Sequence, residues 1–201
     1  MVNKLTRRSV LSGLMAGVAG LALSGPAVAL NTDQARQLID RLVGEINRVI
    51  NSGKPESAMY SEFERIFANY ADVPIIARSA LGVAARSASA AQMNAFTTAF
   101  RGYLSRKYGK RFREFIGGKL EVESARAVKS FYEVKTTAYL RGEAPFEVVF
   151  LVSDKSGRDL FFNMYIEGVN MLATERTEIG AMLDARRGNI DLLIQDLKTA
   201  G

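Results

Sequence analysis

Apolar positions along the chain fall into distinct regimes. Residues 10–23 form a short apolar run without charge, diluted by Gly13, Gly17 and Gly20. From residue 32 the apolar positions recur at three and four residues, the spacing of one helix face. Thr32 can cap a first helix to about Asn51, with Leu38, Ile39, Leu42, Val43, Ile46, Val49 and Ile50 as its stripe, and Gly53 stops it. Pro55 suits the first turn of a second helix faced by Phe63, Ile66, Phe67 and Tyr70. Asp72 and Pro74 open a short helix over 75–81. Ser89 with Gln92 is a capping box, from which a long helix carries Phe96, Phe100, Tyr103, Leu104 and Tyr108. Gly117-Gly118 ends this helical half.

The period then drops to two. Four strands are predicted at 120–123, 131–140, 146–153 and 160–167. In the second, Val134, Ala138 and Leu140 face one way and Glu133 and Lys135 the other. Asp154-Lys155-Ser156-Gly157 reads as a hairpin turn, making the middle strands an antiparallel meander. Helical spacing returns at Asn170 or Thr174 and runs to about Arg187; Gly188 and Asn189 separate it from a final short helix with Leu192, Leu193 and Leu197. The expected class is α+β: a curved antiparallel sheet of about four strands packed by several helices.

The N-terminal run has the form of a cleavable export signal. Lys4, Arg7 and Arg8 precede an apolar stretch too short to span a bilayer, and Pro26 precedes Ala27-Val28-Ala29, an A-x-A cleavage site. Residues 1–29 are therefore expected to be removed, leaving 30–201 as one domain that begins at Leu30. Arg7-Arg8 fits a twin-arginine signal, with ordinary secretion as the alternative. Three of the 27 basic residues and none of the 21 acidic ones lie in this segment, so the net charge falls from +6 to +3 when it is removed. That small excess gives no footprint for nucleic acid.

Composition narrows the chemistry. The chain has no Cys, His or Trp, which excludes disulfides, Cys–His and Ser–His–Asp catalysis, and the commonest metal ligands. An enzyme would depend on carboxylates, Lys or Tyr. Asp154 and Glu167 are a candidate carboxylate pair, though Asp154 also suits a turn. The basic stretch Arg101, Arg106, Lys107, Lys110, Arg111 and Arg113 fits a solvated helix face, or a surface for anionic lipid or an acidic partner. Phe161-Phe162 places a ring on each face of its strand, as in a strand buried on both sides or one that meets a ligand. The remaining Phe and Met residues either fill a core or line an apolar cavity between the sheet and the long helix.

Four segments together resemble the MlaC family, also called toluene-tolerance proteins. They are residues 67–82 (FANYADVPIIARSALG); the capped helix Gln92, Phe96, Phe100, Leu104 followed by Tyr108; residues 166–171 (IEGVNM) with Arg176 beyond; and residues 188–197 (GNIDLLIQDL). The family often has Trp after the Leu-Gly pair and near Phe161; here Ala84-Ala85 takes the first place. The resemblance implies a cone-like, NTF2-like fold around an apolar cavity. It implies a non-enzymatic periplasmic carrier, with phospholipid as cargo and no cofactor or metal. Such a carrier, most simply a monomer, shuttles lipid between an outer-membrane lipoprotein complex and an inner-membrane ABC transporter with a substrate-binding ring, maintaining outer-membrane lipid asymmetry. The competing readings are a small exported enzyme using Asp or Glu, and an adaptor with a filled core. Recognition through tails implies loose headgroup selectivity. Periodicity nominates Ile75, Phe96, Phe100, Leu104, Val134, Ala138, Val148, Phe150, Phe162, Met164, Ile166, Val169 and Met171 as the cavity lining.

Overall fold

A computed structural model describes residues 30–112 and 114–201. The expected export signal, with Arg7, Arg8, Ala27 and Ala29, lies outside the described residues, as does Arg113. Six α-helices and five strands follow in the order α1 (Thr32–Ile50), α2 (Glu56–Tyr70), α3 (Val73–Leu81), α4 (Ala90–Phe112), β1 (Lys119–Val128), β2 (Phe131–Tyr139), β3 (Phe146–Ser153), β4 (Leu160–Ile166), β5 (Val169–Asn170), α5 (Met171–Ala185) and α6 (Ile190–Leu197). A short 3-10 helix, Gly82–Arg86, continues α3. Among the described residues no helix is long and apolar enough to cross a membrane.

The strands form one antiparallel sheet in sequence order, β1-β2-β3-β4-β5. The fifth strand is only two residues long, too short to carry a period, and the sequence shows no sign of it. Glu167 and Gly168 take φ of 49° and 79°, so Glu167 is the first residue of a tight β4–β5 turn rather than the end of a strand. The first strand runs to Val128, well past the predicted 123, because a β-bulge between Val122 and Ser124 resets its alternation. The bulge puts Leu120, Val122 and Ala125 on one face, where they continue the rows Leu120–Ala138–Phe146, Val122–Thr136–Val148–Ile166 and Ala125–Val134–Phe150–Met164.

Helix α1 covers this inner face. Its predicted stripe is buried in full. Its cap is Asn31, one residue before the predicted Thr32: Asn31 takes the extended backbone and trades hydrogen bonds of 2.9 Å with Gln34, a reciprocal pair that Thr32 has no Gln or Glu to complete. Arg36 donates to the carbonyls of Glu123 and Val122 at 2.9 and 3.0 Å, satisfying acceptors that the bulge frees from the ladder. Asn47 both donates to and accepts from Leu120.

The other helices form a layer of their own. The Ser89–Gln92 capping box closes at 3.1 Å in both directions and starts α4. Phe96, Phe100 and Tyr103 then stack in one fully buried row, with centroids 5.5 and 6.1 Å apart. Asn170 caps α5 and Asn189 caps α6. Leu192, expected in the apolar stripe of α6, is exposed, and Ile190 and Ile194 join Leu193 and Leu197 in its buried face. Arg106 donates to the carbonyls of Ala200 and Leu197 at 2.9 and 2.6 Å, a cation at the C-terminal end of α6. Asp72 N–H donates to the Phe161 carbonyl at 2.8 Å, pinning the α2–α3 junction to β4.

Candidate functional site: an apolar cavity under the sheet

Between the inner face of the sheet, α1, α2 and the last turns of α4 lies a cavity of about 470 Å³, within the range of small-molecule sites. Leu42 and Ile46 of α1, and Phe63, Ile66 and Phe67 of α2, form one wall. Leu104, Ser105 and Tyr108 come from α4 and Leu120 from β1. The sheet adds Phe146, Val148 and Phe150 from β3 and Phe161, Met164 and Ile166 from β4. Glu114, Phe115, Leu140, Glu143, Ala144 and Glu167 complete the lining, and Glu114, Glu143, Ala144 and Glu167 are exposed, so they mark the mouth.

Five of the nominated residues, Leu104, Val148, Phe150, Met164 and Ile166, line this cavity. Phe162 lines a smaller chamber of about 30 Å³, which shares Phe67, Leu104, Tyr108, Phe161 and Met164 with the main one. Val134 and Ala138 are buried but lie outside the lining. Met171 opens α5, half-buried and outside the lining. Ile75 and Val169, nominated for the lining, are instead 44% and 55% exposed and lie outside the lining of both cavities. The buried face of α3 is Val73, Ile76, Ala77, Ala80 and Leu81, with Ile75 one position off it; Val169 follows the tight Glu167-Gly168 turn.

Phe96 and Phe100 are also misplaced, for a geometric reason. An α-helix advances about 100° per residue, so a series spaced by four drifts by about 40° at each step. From Phe96 to Leu104 the drift is about 80°. Phe96 and Phe100 therefore sit in the solid helix layer while Leu104 and Tyr108 turn to the cavity. Only the C-terminal part of α4 forms a wall, and α1 and α2, whose stripes read as plain core, supply much of the remainder.

The adjacent rings Phe161 and Phe162 are resolved by a bulge. The β3–β4 register slips between Leu151 and Val152, so Phe161 pairs opposite Val152 and Asn163 opposite Leu151. Phe161 points inward, edge-on to Phe150 at 5.4 Å and Phe67 at 5.8 Å. Phe162 packs edge-on to Phe131, 5.8 Å away, and is half-buried. Asn163 is buried and stitches β4 to α5, accepting from Met164 and Leu172 N–H and donating to Asn170.

A polar seam joins α4 to α5 behind the smaller chamber. Glu175, 3% exposed, accepts from Lys107 at 2.8 Å and Tyr108 at 2.5 Å, while its Oε2 has no partner among the described residues. Lys107 also donates to Glu178, as does Tyr103. Burial, with the Glu178 bond second, pushes the Tyr103 hydroxyl far above its usual range, so it remains a donor. Burial also acts to raise Glu178, but bonds from Lys107 and Tyr103 outweigh it and hold its carboxyl below the ordinary value. The basic stretch is thus largely committed internally: Arg101 pairs with Glu64, Arg106 holds α6, Lys107 serves the seam and Lys110 reaches the Gly201 carbonyl.

Asp154 and Glu167 do not form a pair. They lie at opposite ends of β4, about 20 Å apart by strand rise. Asp154 closes its turn and accepts from Leu30 N–H at 3.3 Å.

Among known proteins, the model of the MlaC protein family matches residues 36–199. No curated relative matches the chain. A solved structure from Ralstonia solanacearum, described as a phospholipid-binding protein in complex with a phospholipid, superposes with a TM-score of 0.69 at 18% identity. The superposition covers 81% of this chain and 94% of that one. At that identity the likeness establishes the α+β fold, and the family match carries further: this chain belongs to the MlaC family.

Proposed function

We propose that this protein is a periplasmic phospholipid carrier whose working domain is residues 30–201. The observation that carries the reading is the open-mouthed apolar cavity in a chain of the MlaC family. The phospholipid described in the Ralstonia relative supports it. Exposing acyl chain to water costs about 0.8 kcal/mol per methylene, so two tails of roughly fifteen methylenes would cost on the order of 24 kcal/mol. A sheath of Leu, Ile, Phe and Met removes that cost for the part of the tails it encloses, and Met164 adapts to different chains. On this reading the protein moves lipid between an outer-membrane lipoprotein complex and an inner-membrane ABC transporter with a substrate-binding ring, in support of outer-membrane lipid asymmetry, and binds its cargo without transforming it.

Export supplies the compartment. Cleavage after Ala29 would leave Leu30 as the N-terminus. Its nitrogen already lies 3.3 Å from the Asp154 carboxylate, and its carbonyl accepts from Tyr132 at 2.7 Å. The new ammonium would then meet a carboxylate in place.

The test is organic-solvent extraction of the purified mature protein followed by mass spectrometry. Stoichiometric phospholipid is expected. An empty protein would favour an adaptor, and substrate turnover abolished by replacing one carboxylate would favour an enzyme. Ala144→Trp places an indole in the mouth at an exposed position, so uptake from vesicles should fall several-fold with the circular dichroism unchanged. Full uptake would remove Ala144 from the entry route.

A further inference from the structure

The main cavity is smaller than the cargo proposed for it. A void of about 150 Å³ lined by aliphatic and aromatic groups holds one benzene, or roughly 25 Å³ per carbon. On that scale a cavity of about 470 Å³ holds about nineteen carbons, against about thirty in two tails. Further apolar room next to the cavity therefore has a use. The chamber of about 30 Å³ shares Phe67, Leu104, Tyr108, Phe161 and Met164 with the main cavity, so these five residues form the partition between the two. Phe161 stands near the start of β4, roughly 20 Å by strand rise from Glu167 at the mouth, so the chamber adjoins the deep end of the cavity.

Ile76 of α3, Phe162 and Asn163 of β4, and Leu172 and Glu175 of α5 complete the chamber. Asn163 spends its amide on Met164, Leu172 and Asn170, and Tyr108 gives its hydroxyl to Glu175. Most of the lining therefore presents ring and aliphatic carbon. Within the partition Met164 is half-buried and unbranched, so it swings aside at lower cost than a packed ring. We propose that this chamber is a subsite for the terminal methylenes of an acyl chain, reached from the main cavity past Met164, and that it sets the longest chain the protein binds well. The inference rests on the phospholipid reading above. The competing occupant is a single water at Glu175, which a space of this size also holds.

Photo-crosslinking tests the subsite in the wild-type protein. Lipid-stripped protein is loaded with a diacyl phosphatidylglycerol whose chains end in a diazirine, irradiated and digested for mass spectrometry. Adducts are expected on Ile76 or Leu172, which line the small chamber alone, whereas a mid-chain diazirine should label main-cavity residues such as Leu42 and Ile46. Terminal-label adducts confined to the main cavity or its mouth would overturn the proposal. Failure to load any phospholipid would instead overturn the reading beneath it.

Chain-length selection supplies the second readout. Each protein is exchanged with vesicles of equimolar dimyristoyl and distearoyl phosphatidylglycerol, and the bound ratio in each variant is divided by that of wild type, which cancels the bilayer's own hold on each chain. A methylene left in water rather than seated lowers binding about fourfold. Leu172→Phe, at a position outside the main lining, fills the chamber and should lower the distearoyl-to-dimyristoyl ratio about fourfold. Leu172→Ala enlarges the chamber and should raise the ratio by a similar factor. Unchanged ratios in the folded variants are what a water site gives, and they would sink the subsite.

Discussion

The two ends of α4 both present large aromatic and aliphatic groups and meet opposite fates. Phe96, Phe100 and Tyr103 are fully buried and stacked, while Leu104, Ser105 and Tyr108 border about 470 Å³ of open space. Both halves are rich in large apolar groups, so small residues did not make the cavity. It arises because the helix rotates its stripe away from the buried aromatic row and towards the space between α1, α2 and the sheet. Packing density is a property of how layers meet, and one helix can belong to a solid core at one end and a container at the other.

The largest expected effect tests that contrast directly. Phe100→Ala should cost about 3–5 kcal/mol, because it removes hydrophobic transfer energy and leaves an enclosed void between Phe96 and Tyr103. Phe67→Ala should cost only about 1–2 kcal/mol in lipid-free protein. Phe67 is half-buried and already faces the cavity, so its loss encloses no new void. Guanidinium unfolding of both variants measures the difference. Equal losses would mean that the cavity end packs as tightly as the core end.

Next comes the seam that closes the container. Lys107→Ala removes a donor to Glu175, whose buried Oε2 already lacks a partner, and leaves only Tyr108 among its described donors. The expected loss is about 2 kcal/mol. Lys107→Ala combined with Glu175→Gln should recover part of it, since the amide carries no charge to desolvate. A double variant no better than the single would mean that Lys107 acts through Glu178 instead.

What the sequence made legible follows from where period and chemistry coincide. The stripe of α1, the Ser89–Gln92 box and the β2–β3–β4 meander could be read because each buries one face against one neighbour, and turn and cap residues placed α3, α5 and α6 without naming their buried faces correctly. The β1 extension and the Phe161-Phe162 doublet were obscured because a bulge inverts alternation without changing composition. The cavity was harder still. Leu42, Ile46 and Phe63 satisfy the same helical pattern whether a side chain or a lipid tail lies opposite, so periodicity names the face and is silent on what fills it. Ser105 did leave a signal: a hydroxyl inside the apolar face of a helix.

The smallest expected effect concerns pH and separates the seam from the α1–α2 contact. Glu178 at the seam is held below the ordinary carboxyl value; burial opposes this, and the bonds from Lys107 and Tyr103 prevail. Glu45 is held down likewise: burial opposes, and the bonds from Tyr70 and Arg65 on α2 prevail. A depressed carboxyl binds its proton less readily folded than unfolded. Its contribution to stability is therefore complete above the ordinary value of about 4.5 and is lost as pH falls below it towards the folded value. Lys107 is shifted upward; burial works against this and the Glu175 and Glu178 bonds prevail, so its contribution is lost only on the alkaline side, above the ordinary lysine value of 10.5. Melting temperature should thus be flat near neutrality and decline below about pH 4.5, with Glu178→Gln and Glu45→Gln each flattening the acid limb. If Glu178→Gln shifts lipid uptake at acid pH and Glu45→Gln does not, the seam governs the container as well as the fold; identical behaviour would reduce it to one more contact between helices.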